Sequence, residues 1–209
     1  MNVLFLGDSI TDWFRDHNDP ADMGKGYASF AAKVLLEKHP GTTFLNLGVN
    51  GYPTAKVAEL VESGEIPGKP DIVSILVGVN DFCDIDKPED WIPDLKAAGE
   101  NYRRIFKALK NRFGAEIVIL QPYLAGEHHP YFSREHLILE HAELAAAMAD
   151  ENVTNLVPLD KIINESFPGE RAKLFSKDGV HPLPEGAEFL GNVVADAIGK
   201  IIEMKGQTK

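Results

Sequence analysis

Five short apolar runs, at residues 3–6, 44–47, 72–77, 117–120 and 156–159, alternate with segments of helical periodicity, and this alternation constrains the fold more than any other feature. The helical segments lie at residues 27–38, 54–63, 94–112, 133–150 and 185–198. Tyr27, Phe30, Ala31, Val34 and Leu35 form one apolar stripe, and Phe189, Leu190, Val193, Val194, Ala197 and Ile198 form another. Parallel strands need a crossover between them, and each crossover helix covers one face of the sheet. The pattern therefore predicts an α/β chain, a three-layer α/β/α sandwich around a five-stranded parallel sheet. Pro93 and Pro184 stand just before helical patterns, while Gly114 and Gly199 are candidate breaks near helix ends, with Ile201 and Ile202 leaving the last helix able to resume or fray beyond Gly199.

At 209 residues the chain can bury a substantial core without a disulfide or metal staple, and one domain over residues 1–209 is the simplest organisation. Its 32 acidic and 21 basic side chains leave a formal charge of -11, which opposes attraction to nucleic acid or anionic lipid. The densest basic segment, Arg103, Arg104, Lys107, Lys110 and Arg112, has helical spacing around Tyr102, Ile105, Phe106 and Leu109 and reads as a solvated helix face. Cys83 is the single cysteine, so no intrachain disulfide framework exists, and a reducing, cytoplasmic setting is expected. If Met1 is the native start, residues 1–6 lack the basic n-region of a signal peptide. No apolar stretch approaches the roughly 20 residues that span a bilayer, so stable membrane insertion is not expected. Composition leaves homo-oligomer assembly open.

Three motifs follow or flank this framework in a way that suits nucleophilic chemistry. Gly7-Asp8-Ser9-Ile10 comes directly after the first apolar run, where a serine can be exposed at the end of a buried strand. Asp8 can brace that turn through backbone hydrogen bonds. A serine hydroxyl needs a base, and Asp178-Gly179-Val180-His181-Pro182 offers an imidazole with a carboxylate three positions earlier to orient it. Attack on an acyl carbonyl also creates an oxyanion that needs fixed donors. The backbone N–H groups of Ser9 and Gly51 and the side-chain amide of Asn80, in Gly78-Val79-Asn80-Asp81, can supply three. The expected site is thus Ser9, Asp178 and His181 for catalysis, with Ser9, Gly51 and Asn80 as the oxyanion hole and Asp8 in support.

Residues 10–26, 82–93 and 122–132 are the longest irregular segments and are suited to shaping a pocket. Trp13, Phe14, Trp91, Tyr123, Tyr131 and Phe132 lie on them and offer stacking surfaces, with Trp13, Trp91, Tyr123 and Tyr131 as candidate substrate-binding residues. His128, His129, His136 and His141 raise the question of a metal. The adjacent pair cannot aim both rings at one ion from a regular strand, and no recognised ligand spacing is present. The cluster reads as solvent-facing or pocket-lining, with no metal site.

Taken in order, Gly7-Asp8-Ser9, Gly51, Gly78-Val79-Asn80-Asp81 and Asp178-Gly179-Val180-His181-Pro182 resemble the four blocks of the SGNH hydrolases of the GDSL class. The resemblance implies a flavodoxin-like fold, Ser9 as nucleophile, the Asp178–His181 pair as the rest of the triad, and ester hydrolysis through an acyl-enzyme without a metal or organic cofactor. The first block reads Gly-Asp-Ser-Ile where the family name spells Gly-Asp-Ser-Leu. Gly7 to Asp12, Gly24-Lys25-Gly26-Tyr27 and the Ile75 to Asp81 run further resemble bacterial carbohydrate acetyl esterases, which implies an acetylated sugar as the small-molecule substrate. A lysophospholipase or short-chain lipase, an acyl-thioesterase, and an inactive carbohydrate-binding protein are the alternatives on the same scaffold.

Overall fold

The first apolar run becomes β1 (Asn2–Gly7), and the chain turns at once into the single-turn helix α1 (Ser9–Asp12). The structure, a computed structural model, describes residues 1–81, 94–125, 135–152, 154–176 and 178–207. In chain order there follow α2 (Tyr27–Lys38), β2 (Thr43–Asn46), α3 (Thr54–Ser63), β3 (Ile72–Leu76), a 3-10 turn (Val79–Asp81) and α4 (Leu95–Phe113). The chain continues through β4 (Glu116–Leu120), α5 (Glu135–Glu151), β5 (Asn155–Val157), α6 (Leu159–Ser166) and α7 (Pro184–Gln207). The five strands form one parallel sheet in the order β2-β1-β3-β4-β5.

Alternating strand residues feed two cores. Val3 and Phe5 of β1 pack with Tyr27, Ala31 and Leu35 of α2 and with Leu190, Val194 and Ile198 of α7. Leu4 and Leu6 face the other way, joining Val57 and Val61 of α3 and Tyr102, Ile105, Phe106 and Leu109 of α4. This two-sided burial explains why β1 and β3 read as continuous apolar runs instead of alternating ones. The two faces are the outer layers of the expected sandwich.

Local chemistry sets the helix ends. The Asp94 side chain accepts the Ala97 N–H and opens α4, and Gly114, in the left-handed conformation, closes it with its N–H on Lys110 O. Of the two outcomes left open at Gly199, the helix continues: α7 runs through it to Gln207. A Cβ there would stand 3.2 Å from His39 Nε2, so the glycine serves helix packing and not termination. The last apolar run also divides: β5 stops at Val157, and Pro158 precedes α6, which the sequence pattern had merged with the strand.

The basic face of α4 is exposed but paired. Arg103 donates to Glu151 and Glu100, Arg104 to Glu62, and Lys110 to the Asn152 carbonyl. Such exposed pairs add little to stability; their effect is to tie α4 to α3 and α5. Among the described residues no helix is long and apolar enough to cross a membrane.

Candidate active site

In a doubly wound sheet the crevice forms at the strands' carboxyl ends where successive crossovers leave in opposite directions. Here that point lies between β1 and β3. Ser9 follows β1 and Asn80 follows β3, while Gly51 lies in the loop after the neighbouring β2. The third partner arrives from the far end of the chain. A bridge between Phe175 and Pro182, with Ser176 N–H on His181 O at 2.8 Å, closes a tight loop that carries Asp178 and His181.

The loop presents His181 to Ser9. Ser9 Oγ is 2.8 Å from His181 Nε2, and His181 Nδ1 is 2.6 Å from Asp178 Oδ2. The carboxylate's other oxygen, Oδ1, accepts from Ser176 Oγ and from the backbone N–H groups of Val180 and His181. Burial acts to raise the Asp178 pKa, but hydrogen bonds from His181, Ser176 and the two backbone groups outweigh it and hold the carboxyl well below the usual range. Asp178 is therefore anionic at neutral pH and keeps the imidazole proton on Nδ1, so the Nε2 lone pair faces the serine hydroxyl.

Asp8 is wholly buried behind this pair. Its Oδ1 accepts the Ile10 N–H at 3.0 Å, and its Oδ2 has no hydrogen-bond partner. Burial pushes its pKa up to about 7, the nearby Asp81 adds to the rise, and Ile10 N–H and His181 oppose it. Asp81 accepts both the N–H and the hydroxyl of Thr54, fixing the start of α3 to the Asn80 turn. Burial raises its pKa against those two bonds.

The donors expected for an oxyanion come from the segments that follow β1, β2 and β3. Asn80 Nδ2 donates one proton to Tyr52 O at 3.2 Å, which fixes the amide and leaves its second proton. The backbone N–H groups of Ser9 and Gly51 have no acceptor among the described residues. A Cβ on Gly51 would meet nothing within 4 Å, so this glycine borders open space.

A cavity of about 630 Å³ opens beside Ser9 and His181. Trp13 and Phe14 line it together with the polar residues Asp12, Arg15, His17 and Asn50. Asp12 is the hub: its Oδ2 accepts from Asn50 N–H at 2.9 Å and lies 3.0 Å from His17 Nε2. Sequence reasoning missed Asp12, Arg15, His17, Asn50 and Ser176, although Asp12 and Ser176 stand within three residues of Ser9 and Asp178.

The aromatic expectations divide. Trp13 lines the cavity but stacks on His181, ring centroids 5.3 Å apart, and Phe14 is exposed at the cavity wall. Tyr123 lies in the core, against Phe175 with its hydroxyl donating to Val180 O, and does not reach the cavity. Trp91, Tyr131 and Phe132 lie outside the described residues, as do His128 and His129. His136 is exposed, but His141 corrects the expectation of a solvent-facing or pocket-lining group. It is fully buried beneath Gly78, 3.4 Å from Tyr102 Oη, and burial lowers its pKa to about 4. Among the described residues no three His, Cys, Asp or Glu side chains converge as metal ligands do.

The model of the GDSL-like lipase/acylhydrolase family matches residues 5–189. An acetylxylan esterase from Geobacillus stearothermophilus is 24% identical over 208 residues, covering 94% of this chain and 93% of its own. A Parabacteroides merdae protein assigned as a GDSL-like lipase superposes with a TM-score of 0.85 at 27% identity, covering 95% of both chains. An α/β hydrolase from the metagenome of Lake Arreo superposes at 0.76 and 21% identity, covering 95% of this chain and 94% of its own. A family match across most of the chain, on this fold, means that the protein belongs to the GDSL-like lipase/acylhydrolase family and is a serine hydrolase of carboxylic esters.

Proposed function

We propose that the protein deacetylates small acetylated carbohydrates, xylo-oligosaccharides among them, through an acyl-enzyme on Ser9. The observation that carries this reading is the Ser9–His181–Asp178 relay, at 2.8 and 2.6 Å, opening on a cavity where Trp13 and Phe14 stand beside Asp12, Arg15, His17 and Asn50. A sugar calls for an apolar face to stack on and for hydrogen-bonding groups around the leaving oxygen, and these residues offer both. The acetylxylan esterase aligned along nearly the whole chain supports the same substrate class.

In this cycle His181 Nε2 takes the Ser9 proton as Oγ attacks the ester carbonyl. Asp178 stabilises the imidazolium and holds its orientation. The carbonyl oxygen becomes an oxyanion facing the N–H groups of Ser9 and Gly51 and the free proton of Asn80 Nδ2. Collapse expels the sugar alkoxide, which His181 protonates. Water then enters, gives its proton to Nε2 and attacks the acetyl-enzyme, and acetate leaves as Ser9 recovers its proton. A cytoplasmic location belongs to the same reading and is supported by the lone Cys83.

One substrate panel tests it: acetylated xylo-oligosaccharides, octanoyl esters and acyl-thioesters, each with the parent and Ser9→Ala. The reading predicts Ser9-dependent release of acetate from the sugars and steep loss toward octanoyl. Preferred turnover of octanoyl esters or thioesters would contradict it.

A further inference from the structure

Trp13 and Phe14 are the only non-glycine residues among those described with positive φ, at 33° and 63°, and they are adjacent. Bulky side chains avoid that region, and residues held there concentrate where a fold needs an otherwise unfavourable direction. The surrounding chain enforces the corner. Lys25 N–H donates to Trp13 O at 2.9 Å, and a Cβ on Gly26 would fall 2.7 Å from Trp13 Cβ. The Gly24-Lys25-Gly26 segment thus clasps the corner. Its effect is to lay the Trp13 indole on His181 and to set the Phe14 ring edge-on against that indole, centroids 5.7 Å apart, 78% exposed at the wall of the catalytic cavity.

Beside that exposed ring lies a polar edge with unused capacity. Asp12 engages Asn50 and His17 through Oδ2, which leaves Oδ1 as an acceptor. Arg15 is fixed by Nε on Gly48 O at 2.8 Å and by Nη1 on Asp16 O, which leaves Nη2 as a donor. Its charge faces Asp12, Asp16 and Asp22, so no net positive field remains for an anionic ligand. An apolar face with adjacent fixed donors and acceptors matches a pyranose ring, whose C–H face stacks and whose hydroxyls form the rim.

We propose that residues 12–17 form the leaving-group subsite of this enzyme, seating one neutral pyranose with Phe14 as its stacking platform and Asp12 and Arg15 on its hydroxyls. The proposal deepens the acetyl-sugar reading and rests on it. A phosphorylated glycerol headgroup or a uronate would meet Asp12 there, with the Arg15 charge already offset by Asp12, Asp16 and Asp22, and is excluded from the same seat.

The test is isothermal titration of the full chain with unacetylated xylotetraose and, separately, with glycerophosphocholine. Parent protein binds xylotetraose and not glycerophosphocholine. Phe14→Ala weakens xylotetraose binding about tenfold, the scale of one lost stacking face. Phe14→Trp keeps it, and Phe14→Gly, which also removes the positive-φ penalty, weakens it as Ala does while raising the melting temperature. Absence of xylotetraose binding to the parent, equal affinity in Phe14→Ala, or binding of glycerophosphocholine instead would overturn the proposal. Ser9-dependent hydrolysis of p-nitrophenyl acetate, measured on the same samples, separates the two levels: its loss counts against the esterase reading, whereas its retention without sugar binding counts against the subsite alone.

Discussion

The indole of Trp13 stacks on the imidazole of His181, with ring planes 29° apart. His181 is held at one edge by Asp178 and on one face by this indole, with its Nε2 directed at Ser9. An aromatic face also favours the imidazolium that forms during attack. Trp13→Ala is expected to lower kcat for p-nitrophenyl acetate about tenfold with little change in KM, and Trp13→Phe to restore most of it. A raised KM with kcat unchanged would return Trp13 to substrate binding.

Asn80 is held by its bond to Tyr52 O, which leaves one amide proton for an oxyanion. Losing one oxyanion donor costs about 3 kcal/mol in the transition state, roughly a hundredfold in rate. Asn80→Ala should therefore reduce kcat on that scale while leaving KM near the parent value. Steady-state kinetics with equal kcat in both proteins would remove Asn80 from the oxyanion assignment.

Gly78 takes φ +138°, and a Cβ there would lie 2.6 Å from His141 Nε2. His141 cannot retreat, because it is buried against Tyr102, whose hydroxyl donates to Val77 O. Gly78→Ala is expected to cost about 1–3 kcal/mol in backbone strain alone, with a further loss from the collision. Because Asn80 is two residues on, activity should fall as well. A thermal melt and kcat both close to the parent's would contradict this coupling.

The Asp8 carboxyl has a folded pKa of about 7 against an unfolded value of 3.8, chiefly because it is buried. The folded protein binds the proton more tightly, so this contribution to stability is present below pH 4 and is lost as pH rises toward 7. The displacement corresponds to roughly 4 kcal/mol. Asp8→Asn, which stays neutral, should match the parent near pH 4 and exceed it in denaturant stability at pH 8. Parallel pH–stability curves would show that Asp8 ionises without cost.

The layout of the sheet was legible because its inner strands are buried on both faces and so appear as unbroken apolar runs. The stripe of α2, Tyr27 to Leu35, was legible for a similar reason, since a single face meets the core. Gly199 stayed ambiguous because a glycine that admits a neighbouring helix looks like one that ends its own. In the site, Ser9, Asp178 and His181 were legible as candidates because each stands in a short motif next to a strand end or tight loop, and the structure brings them within hydrogen-bonding distance. The cavity wall was not legible: Asp12, Arg15 and His17 acquire their roles only once the Trp13–Phe14 corner folds them against Gly48 and Asn50. Nor does any pattern reveal that Tyr123 turns into the core or that α5 buries a neutral histidine under Gly78, since both directions are set by partners distant in the chain.

The central claim is that Ser9 Oγ becomes covalently acylated with His181 as its base. The direct measurement is acid-quench mass spectrometry of the enzyme mixed with p-nitrophenyl acetate, in the parent and in His181→Ala. The account predicts a transient acetyl group on the peptide containing Ser9 in the parent and its near absence in the variant. Turnover without acetylation of Ser9, or equal acetylation in the two proteins, would contradict it.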